Sequence, residues 1–295
     1  MKLRSWSVCL LVLGCSAGGA PGGPPSADGS GSTGTGGQQG AAPTSGGTDI
    51  VIPEDQFSDE DCDNVLPIVY RDFSSTHPDF EMNFAGDVVR RGLVAAELGA
   101  GRKPVFASTS GCPWLQTTPL DCDNWDVTNP EIASQETFDQ WYRDVPDVNF
   151  PFESELTLTE DPPGSGTYVY DTAAFFPLST TQGFGESFQS NSGTQENFHF
   201  TTEIHLQFTY VAGQKFTFRG DDDLWIFVNG KLALDLGGMH MPAEGTIDFD
   251  AQAAQLAIAP NNPYSMDIFH AERHTRDSNF RIETNISCFV PVELY

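Results

Sequence analysis

The chain has 295 residues, enough for one large domain or two small ones, and carries 41 Asp and Glu against 14 Lys and Arg, a formal net charge of -27. So acidic a surface repels nucleic acid and anionic lipid, which excludes both as electrostatic partners and leaves cations and neutral ligands. Acidity as a mere solubility device is an equally weighted alternative.

At the N-terminus, Lys2 and Arg4 precede a short apolar run that ends at Gly14-Cys15. This is the pattern of a secretory signal, and the run is too short to span a membrane. The VLGC ending resembles a bacterial lipobox, which implies a signal peptide over 1–14 and Cys15 as a lipidated first residue. That places the protein outside the cell membrane, anchored at the bacterial outer membrane or cell surface. The alternative is a soluble secreted protein cut nearby. From Ser16 to about Thr48 the chain is Gly, Ser, Pro, Ala, Thr and Gln, which cannot build a core. It is expected to be a disordered tether, with an r.m.s. reach of roughly 35 Å for about 40 residues. Residues 15–60 are read as linker and 61–295 as a single folded domain.

Four cysteines remain in that domain, Cys62, Cys112, Cys122 and Cys288. In an exported protein they suggest two disulfides, with three possible pairings. The segment CPWLQTTPLDC makes Cys112–Cys122 an easy local bridge and leaves Cys62–Cys288 to tie the two ends of the domain. No CxxC or HExxH occurs, which argues against a structural zinc site or a zinc protease.

The domain reads as mostly strands, with helical signals confined to its first half. Residues 88–98, VVRRGLVAAEL, read as a short helix or a mixed segment. In SQETFDQWYRDV, Ser134 caps a helix with a Phe138, Trp141, Tyr142 stripe. ENFHFTTEIHLQFTYV puts Phe198, Phe200, Ile204, Leu206, Phe208 and Tyr210 on one face of a half-buried strand. QKFTFRG, TIDFD, QLAIAP, YSMDIFHAE and FRIETNISCFV follow as strands between Gly, Pro and Asn punctuation.

The most informative stretch is FRGDDDLWIFVNGKLALDLGGMH, Phe218 to His240. Asn229-Gly230 predicts a two-residue type I′ turn, since both positions need positive φ. That turn sets Val228 opposite Lys231, Ile226 opposite Ala233 and Leu224 opposite Asp235. Trp225, Phe227, Leu232 and Leu234 then form the apolar face. Asp222 falls one diagonal step from Asp235, about 7–8 Å at the backbone, within reach of a shared ion. Crowded carboxylates take up protons, find cations or spread apart. Calcium is the natural hard cation outside a cell, with six to eight oxygens at about 2.3–2.6 Å. The competing reading is turn-forming aspartates with their side chains in water. His240 is read as a structural hydrogen-bonding residue rather than a ligand. Trp114 and Trp125, near the Cys112–Cys122 loop, are read as local packing rather than sugar-stacking surfaces.

GDDDLWIFVNGKLALDLGGMH, with YRDFSSTHPDFE (70–81), FDQWYRDVPDVNF (138–150), FFPL (175–178) and HAERHTRDSNFRIET (270–284), resembles a fibro-slime domain over most of 66–289. That family is similar to the protective-antigen-type lectin domain. The resemblance implies an all-β, protective-antigen-like β-sandwich or barrel with short helices in its N-terminal half. In sugar-binding adhesin members, two adjacent aspartates joined by a cis peptide hold calcium, which binds sugar hydroxyls. Carried over, the pair is Asp221 and Asp222, with Asp223 where many such domains have glycine. The resemblance places the second ligand-bearing loop at 271–279, with Glu272, Asp277 and Asn279 as oxygen donors. Arg273, His274 and Arg276 either bond a glycan or neutralise the aspartates. The expected metal set is Asp221, Asp222, Asp235 and Asp277, and the expected ligand set is Asp223, Glu272, Arg273, His274, Arg276 and Asn279.

The leading expectation is thus a non-enzymatic surface module. It would bind carbohydrate or matrix polymer with calcium, for adhesion or matrix organisation. A glycoside hydrolase using two of its carboxylates, and a structural surface protein without a ligand, are the alternatives.

Overall fold

The structure is a computed structural model and describes residues 62, 64–82, 88–115, 117–120, 122, 130–274 and 276–292. The signal peptide, Cys15, the tether and Trp125 lie outside the described residues.

In chain order the elements are β1 (Val65–Phe73), β2 (Val89–Arg91), β3 (Cys112–Leu115), β4 (Thr118–Pro119), α1 (Gln135–Phe138), β5 (Asn149–Thr157), β6 (Thr159–Glu160), β7 (Tyr168–Thr172), β8 (Phe188–Gln189), β9 (Gln195–Glu196), β10 (Phe200–Tyr210), β11 (Lys215–Gly220), β12 (Asp223–Val228), β13 (Lys231–Leu236), β14 (Ala243–Asp248), α2 (Phe249–Leu256), β15 (Asn262–Glu272), β16 (Phe280–Thr284) and β17 (Val290–Pro291). The larger sheet runs β13-β12-β15-β10-β1-β5, with β17 added beside β10. A five-stranded sheet runs β14-β11-β16-β7-β6. Neither closes into a barrel, and the domain is an open β-sandwich. Its main core lies between the two sheets. Leu66, Ile68, Ile204, Leu206, Ile226 and Ile268 from one meet Phe216, Phe218, Ile247, Phe280 and Ile282 from the other.

Both disulfides form as expected, Cys62–Cys288 and Cys112–Cys122. The Ser134 cap is also present, its hydroxyl accepting from the Thr137 amide. Trp114 packs against the Arg91 guanidinium, 4.0 Å from its ring centre, a local contact as expected.

Four expectations need correction. Residues 88–98 form no helix but a three-residue strand and isolated bridges, Val94 to Phe106 and Glu97 to Lys231. QLAIAP is not a strand and TIDFD is one only to Asp248: Phe249–Leu256 is helical, α2, because Asp248 caps it through the Ala251 amide and Ala and Gln fill its turns. It lies in the second half of the domain. The third correction concerns β10, which is buried on both faces rather than one. Its outer face carries Thr201, Glu203 and His205, and a second core covers this side of the larger sheet. That core gathers Leu93, Ile132, Phe138, Trp141 and Tyr142 against Trp225, Phe227 and Phe269.

The fourth is the β12–β13 register. The turn is as predicted, with Asn229 and Gly230 at φ 53° and 71° and Val228 opposite Lys231. A bulge then inserts Ala233, so Ile226 faces Leu234, Trp225 faces Asp235 and Leu224 faces Leu236. The physical reason is burial. Leu224, Ile226 and Val228 point into the main core, and an unbulged ladder would drive Asp235 in beside them. The bulge sends Leu234 and Leu236 there instead.

The outer face of β10 also holds a buried ionic chain. His205 lies 2.6 Å from both Glu203 and Asp267. Arg71 pairs with Glu203 at 2.6 Å, Lys103 pairs with it too, and Arg102 pairs with Asp267. Burial alone would lower the His205 pKa, but its hydrogen bonds to Asp267 and Glu203, and their charges, raise it. Burial would raise Glu203, but His205, Arg71 and Lys103 bring it down to about 2. A raised histidine contributes stability that is complete below about pH 6.5 and is lost as pH climbs through the folded value. Urea unfolding between about pH 6 and 9 should therefore show stability falling with pH on this account, and His205→Gln should flatten that slope. Equal slopes in the two proteins would contradict it.

Candidate functional site

Two strand crossovers lie side by side at one corner of the sandwich. β11 leaves the smaller sheet at Gly220, and Asp221-Asp222 carries the chain into β12 of the larger one. β15 leaves the larger sheet at Glu272, and residues 273–279 return the chain to β16 of the smaller one. Register pairs Gly220 with Phe280 and Asp223 with Ala271, so the two crossovers touch. Gly220 has to be glycine for this. A Cβ there would stand 2.6 Å from the Asn279 carbonyl oxygen.

The Asp221–Asp222 peptide is cis, as the resemblance implies. Each aspartate then grips a different part of the corner. Asp221 accepts from the Asn279 amide and from Asn279 Nδ2, the latter at 2.9 Å. Asp222 Oδ2 accepts from the Arg273 and His274 amides at 3.1 Å each, and its Oδ1 from the His240 amide at 3.2 Å. Asp223 accepts from the Gly238 amide and from Arg273 Nε, both at 2.6 Å. His270 sits beneath, its Nε2 2.9 Å from the Asp221 carbonyl oxygen, and burial pushes its pKa down to about 4. It is therefore neutral and donates there.

Arg273 is fully buried and organises the inner side. Besides Asp223 it donates to the carbonyls of Asp79 and Glu131, and its guanidinium lies 4.8 Å from the Trp141 ring centre. Asp79 in turn accepts from Trp141 Nε1, Thr137 Oγ1 and the Ala133 amide. Glu131 pairs with buried Arg90 at 3.2 Å. One cation thus joins the DDD, HPDFE, FDQWY and HAER segments.

That pairing leaves the outer carboxylates short of positive charge. Glu272 is 1% exposed, yet neither carboxylate oxygen has a well-formed hydrogen bond. Burial, then the charges of Asp222 and Asp221, drives its pKa well above the usual range, and the nearby Ser278 hydroxyl and His274 amide offset this only in part. Asp222 is raised well above its usual range by burial, with Arg273 opposing and Asp223 and Asp221 adding to the rise. Asp221 is raised by burial, against the Asn279 hydrogen bonds. Among the described residues no three His, Cys, Asp or Glu side chains converge in a ready metal geometry. The donor chemistry nevertheless fits a hard cation, since Asp221, Asp222 and Glu272 offer only oxygens and Glu272 has both unclaimed.

The remaining predicted residues are placed elsewhere. Asp235 accepts from Trp225 Nε1, the Gly92 amide and the Gly237 amide, and burial pushes its pKa up to about 6. The bulge has turned it away from the Asp222 face. Asp277 is exposed and accepts from Asn191 Nδ2 at 2.6 Å, and Arg276 is exposed beside it. His274 is half-buried, 3.6 Å from Glu81. Both His240 ring nitrogens face backbone carbonyls, of Met241 and Leu236, so neither is presented to a ligand. Sequence reasoning missed Asp79, Glu131 and His270. Asp79 and His270 sit inside quoted motifs, whereas Glu131 carries no local signal at all.

No family model matches the chain. Its sequence is similar to the slime-mould proteins psiQ, psiJ and psiD of Dictyostelium discoideum. It is 34% identical to psiQ over 232 residues, 33% to psiJ over 237 and 36% to psiD over 229, each match covering 76% of this chain. The chain spans 21%, 31% and 41% of those relatives' own lengths. Among solved structures, a PA14 sugar-binding domain from an RTX adhesin overlaps 32% of this chain and 50% of its own, at 16% identity and a TM-score of 0.22. A GH31 alpha-xylosidase from Xanthomonas citri overlaps 35% of this chain and 14% of its own, at 9% identity and a TM-score of 0.21.

Two stability outcomes follow from this geometry. Arg273→Met, which strands Asp223 in the interior, should cost about 3–5 kcal/mol, and Asp223→Asn should recover part of that loss. Strictly additive effects in urea unfolding would show that the pair is not coupled. Glu272→Gln removes an uncompensated buried charge and should raise the Tm measured in chelator at neutral pH. A fall of several degrees would mean that the carboxylate is neutralised by a group other than a bound cation.

Proposed function

We propose that this chain is a surface binding module that recognises carbohydrate or a matrix polymer at the Asp221–Asp222 corner, assisted by calcium, and serves adhesion or matrix organisation. The observation that carries the reading is the buried Glu272 carboxylate, unclaimed by any well-formed hydrogen bond, beside two aspartates that form no ion pair among the described residues. A hard cation held by Asp221, Asp222, Glu272 and Asn279 would discharge that cluster. Carbohydrate as the ligand rests on the fibro-slime and lectin resemblance of the motifs that meet here. The cation would supply oxygen coordination for vicinal sugar hydroxyls, while the chain's own residues fix the loop that faces it.

Export agrees with the two disulfides, which persist in oxidising compartments. Within the same proposal, Cys15 is a lipid anchor and residues 15–60 a tether that holds the domain away from the membrane. The module acts by binding, not turnover. Hydrolysis of a polysaccharide by the purified protein would favour the glycoside hydrolase reading instead.

The test is the melting temperature of the chain in calcium and in chelator. A ligand that binds only the folded state stabilises by about 2.7 kcal/mol at a hundredfold excess over Kd. Calcium should raise the Tm of the wild type, while Asp222→Asn and Glu272→Gln should lose most of the response. If calcium leaves the wild type unmoved, the cation mechanism falls and the ion-paired, purely structural reading takes its place.

A further inference from the structure

The loop between β15 and β16 does more than close the carboxylate corner. Its two feet stand on the aspartates, through the Arg273 and His274 amides on Asp222 and through Asn279 on Asp221. Its apex, Arg276-Asp277, leans the other way, onto the turn of the β8–β9 hairpin. There the Asn191 amide donates to the Arg276 carbonyl at 3.2 Å, and Asn191 Nδ2 donates to Asp277. The hairpin is seated independently, with the Phe188 ring edge-on against His199 at 4.9 Å. Ser190, Ser192 and Thr194 share hydroxyl hydrogen bonds within the turn.

Between apex and hairpin lies a cavity of about 470 Å³ lined by Gln189, Ser190, Asn191, Gly193 and Arg276. That is within the size range of small-ligand sites. Its lining is amide, hydroxyl and guanidinium, with no large apolar wall. Arg276 makes no ion pair among the described residues, a state it shares with Arg91, which lies over the Trp114 ring, and with Arg219, whereas Arg71, Arg90, Arg102, Arg143, Arg273 and Arg281 are paired. What sets Arg276 apart is its place: among these arginines it alone lines the cavity. Asp277 makes no ion pair with it and instead accepts from Asn191 Nδ2. The guanidinium fork is therefore free for a ligand carboxylate, which it recognises in a bidentate way that a lysine cannot reproduce. At physiological salt the Debye length is about 8 Å, so this local cation outweighs the distant negative charge of the domain.

We propose that the β8–β9 hairpin and Arg276 form a selectivity pocket for a carboxylate-bearing sugar residue, a uronate unit of an acidic polysaccharide, beside the carboxylate corner. The proposal rests on the glycan-binding reading above and names its substrate class. Arg276 takes the uronate carboxylate, while Gln189, Ser190 and Asn191 meet ring hydroxyls.

The experiment is calorimetric titration, in calcium, of the full chain and of Arg276→Gln and Arg276→Lys with uronate oligosaccharides, each matched to its methyl ester and to a neutral oligosaccharide. Arg276 is exposed, so folding is not at stake, and a melting curve confirms this for each variant. The wild type should prefer acid over ester by about ten- to a hundredfold. Arg276→Gln should erase that preference, and Arg276→Lys should keep only part of it. Equal binding of acid, ester and neutral sugar, unchanged by Arg276→Gln, overturns the selectivity pocket and leaves glycan binding standing. Failure of all three sugar classes to bind overturns both.

Discussion

Everything at the carboxylate corner depends on one buried cation. Arg273 has no access to solvent, so its charge survives only because Asp223 and two backbone carbonyls surround it. Those partners come from segments far apart in the chain, the loop after β1, the segment before α1 and the start of β12, and they meet the arginine that follows β15. The pair is costly to desolvate and gives a modest net gain, but breaking it is severe, so it acts as a lock on arrangement more than as a source of stability. With the arginine spent on the inner aspartate, the outer carboxylates are left without an ion-pair partner, and burial favours their neutral form. The same interaction that closes the core leaves the rim unsatisfied.

Sandwich topology explains why the rim is where it is. Two neighbouring strands of one sheet cross to two neighbouring strands of the other at the same corner, and each crossover is short. Backbone amides that would otherwise be orphaned at the crossovers are those that hold Asp221 and Asp222. The aspartates therefore satisfy the loop's donors with one set of lone pairs, and the proposed ligand would use another. A carboxylate corner of this kind comes without a dedicated domain. It is made where the fold must change sheets.

The acidic character of the chain is unevenly used. On the outer face of β10, Glu203 and Asp267 are each met by cations, Arg71, Lys103 and Arg102, with His205 between them. At the crossover corner the balance is broken in favour of anions. At the loop apex a single arginine is left over.

How much of this was legible beforehand follows from the range of the interactions. The Asn229-Gly230 turn, the Ser134 cap, both disulfides and the strand-rich architecture rest on neighbours in sequence or on a count of few alternatives, and they were readable. The resemblance set the loop of Glu272 and Asn279 beside Asp221 and Asp222, though as ligand-binding residues, and the expected metal partners Asp235 and Asp277 are held elsewhere. The bulge at Ala233 was not readable, since it answers to what Asp235 would meet across the sandwich. Nor were the two-sided burial of β10, the ion pair between Arg90 and Glu131, or the closure of the β8–β9 hairpin onto Arg276. Local propensity and spacing are properties of the chain by itself. Which carboxylate finds a cation, and which is left without one, depends on desolvation and distance across the fold, and only the tertiary structure decides those.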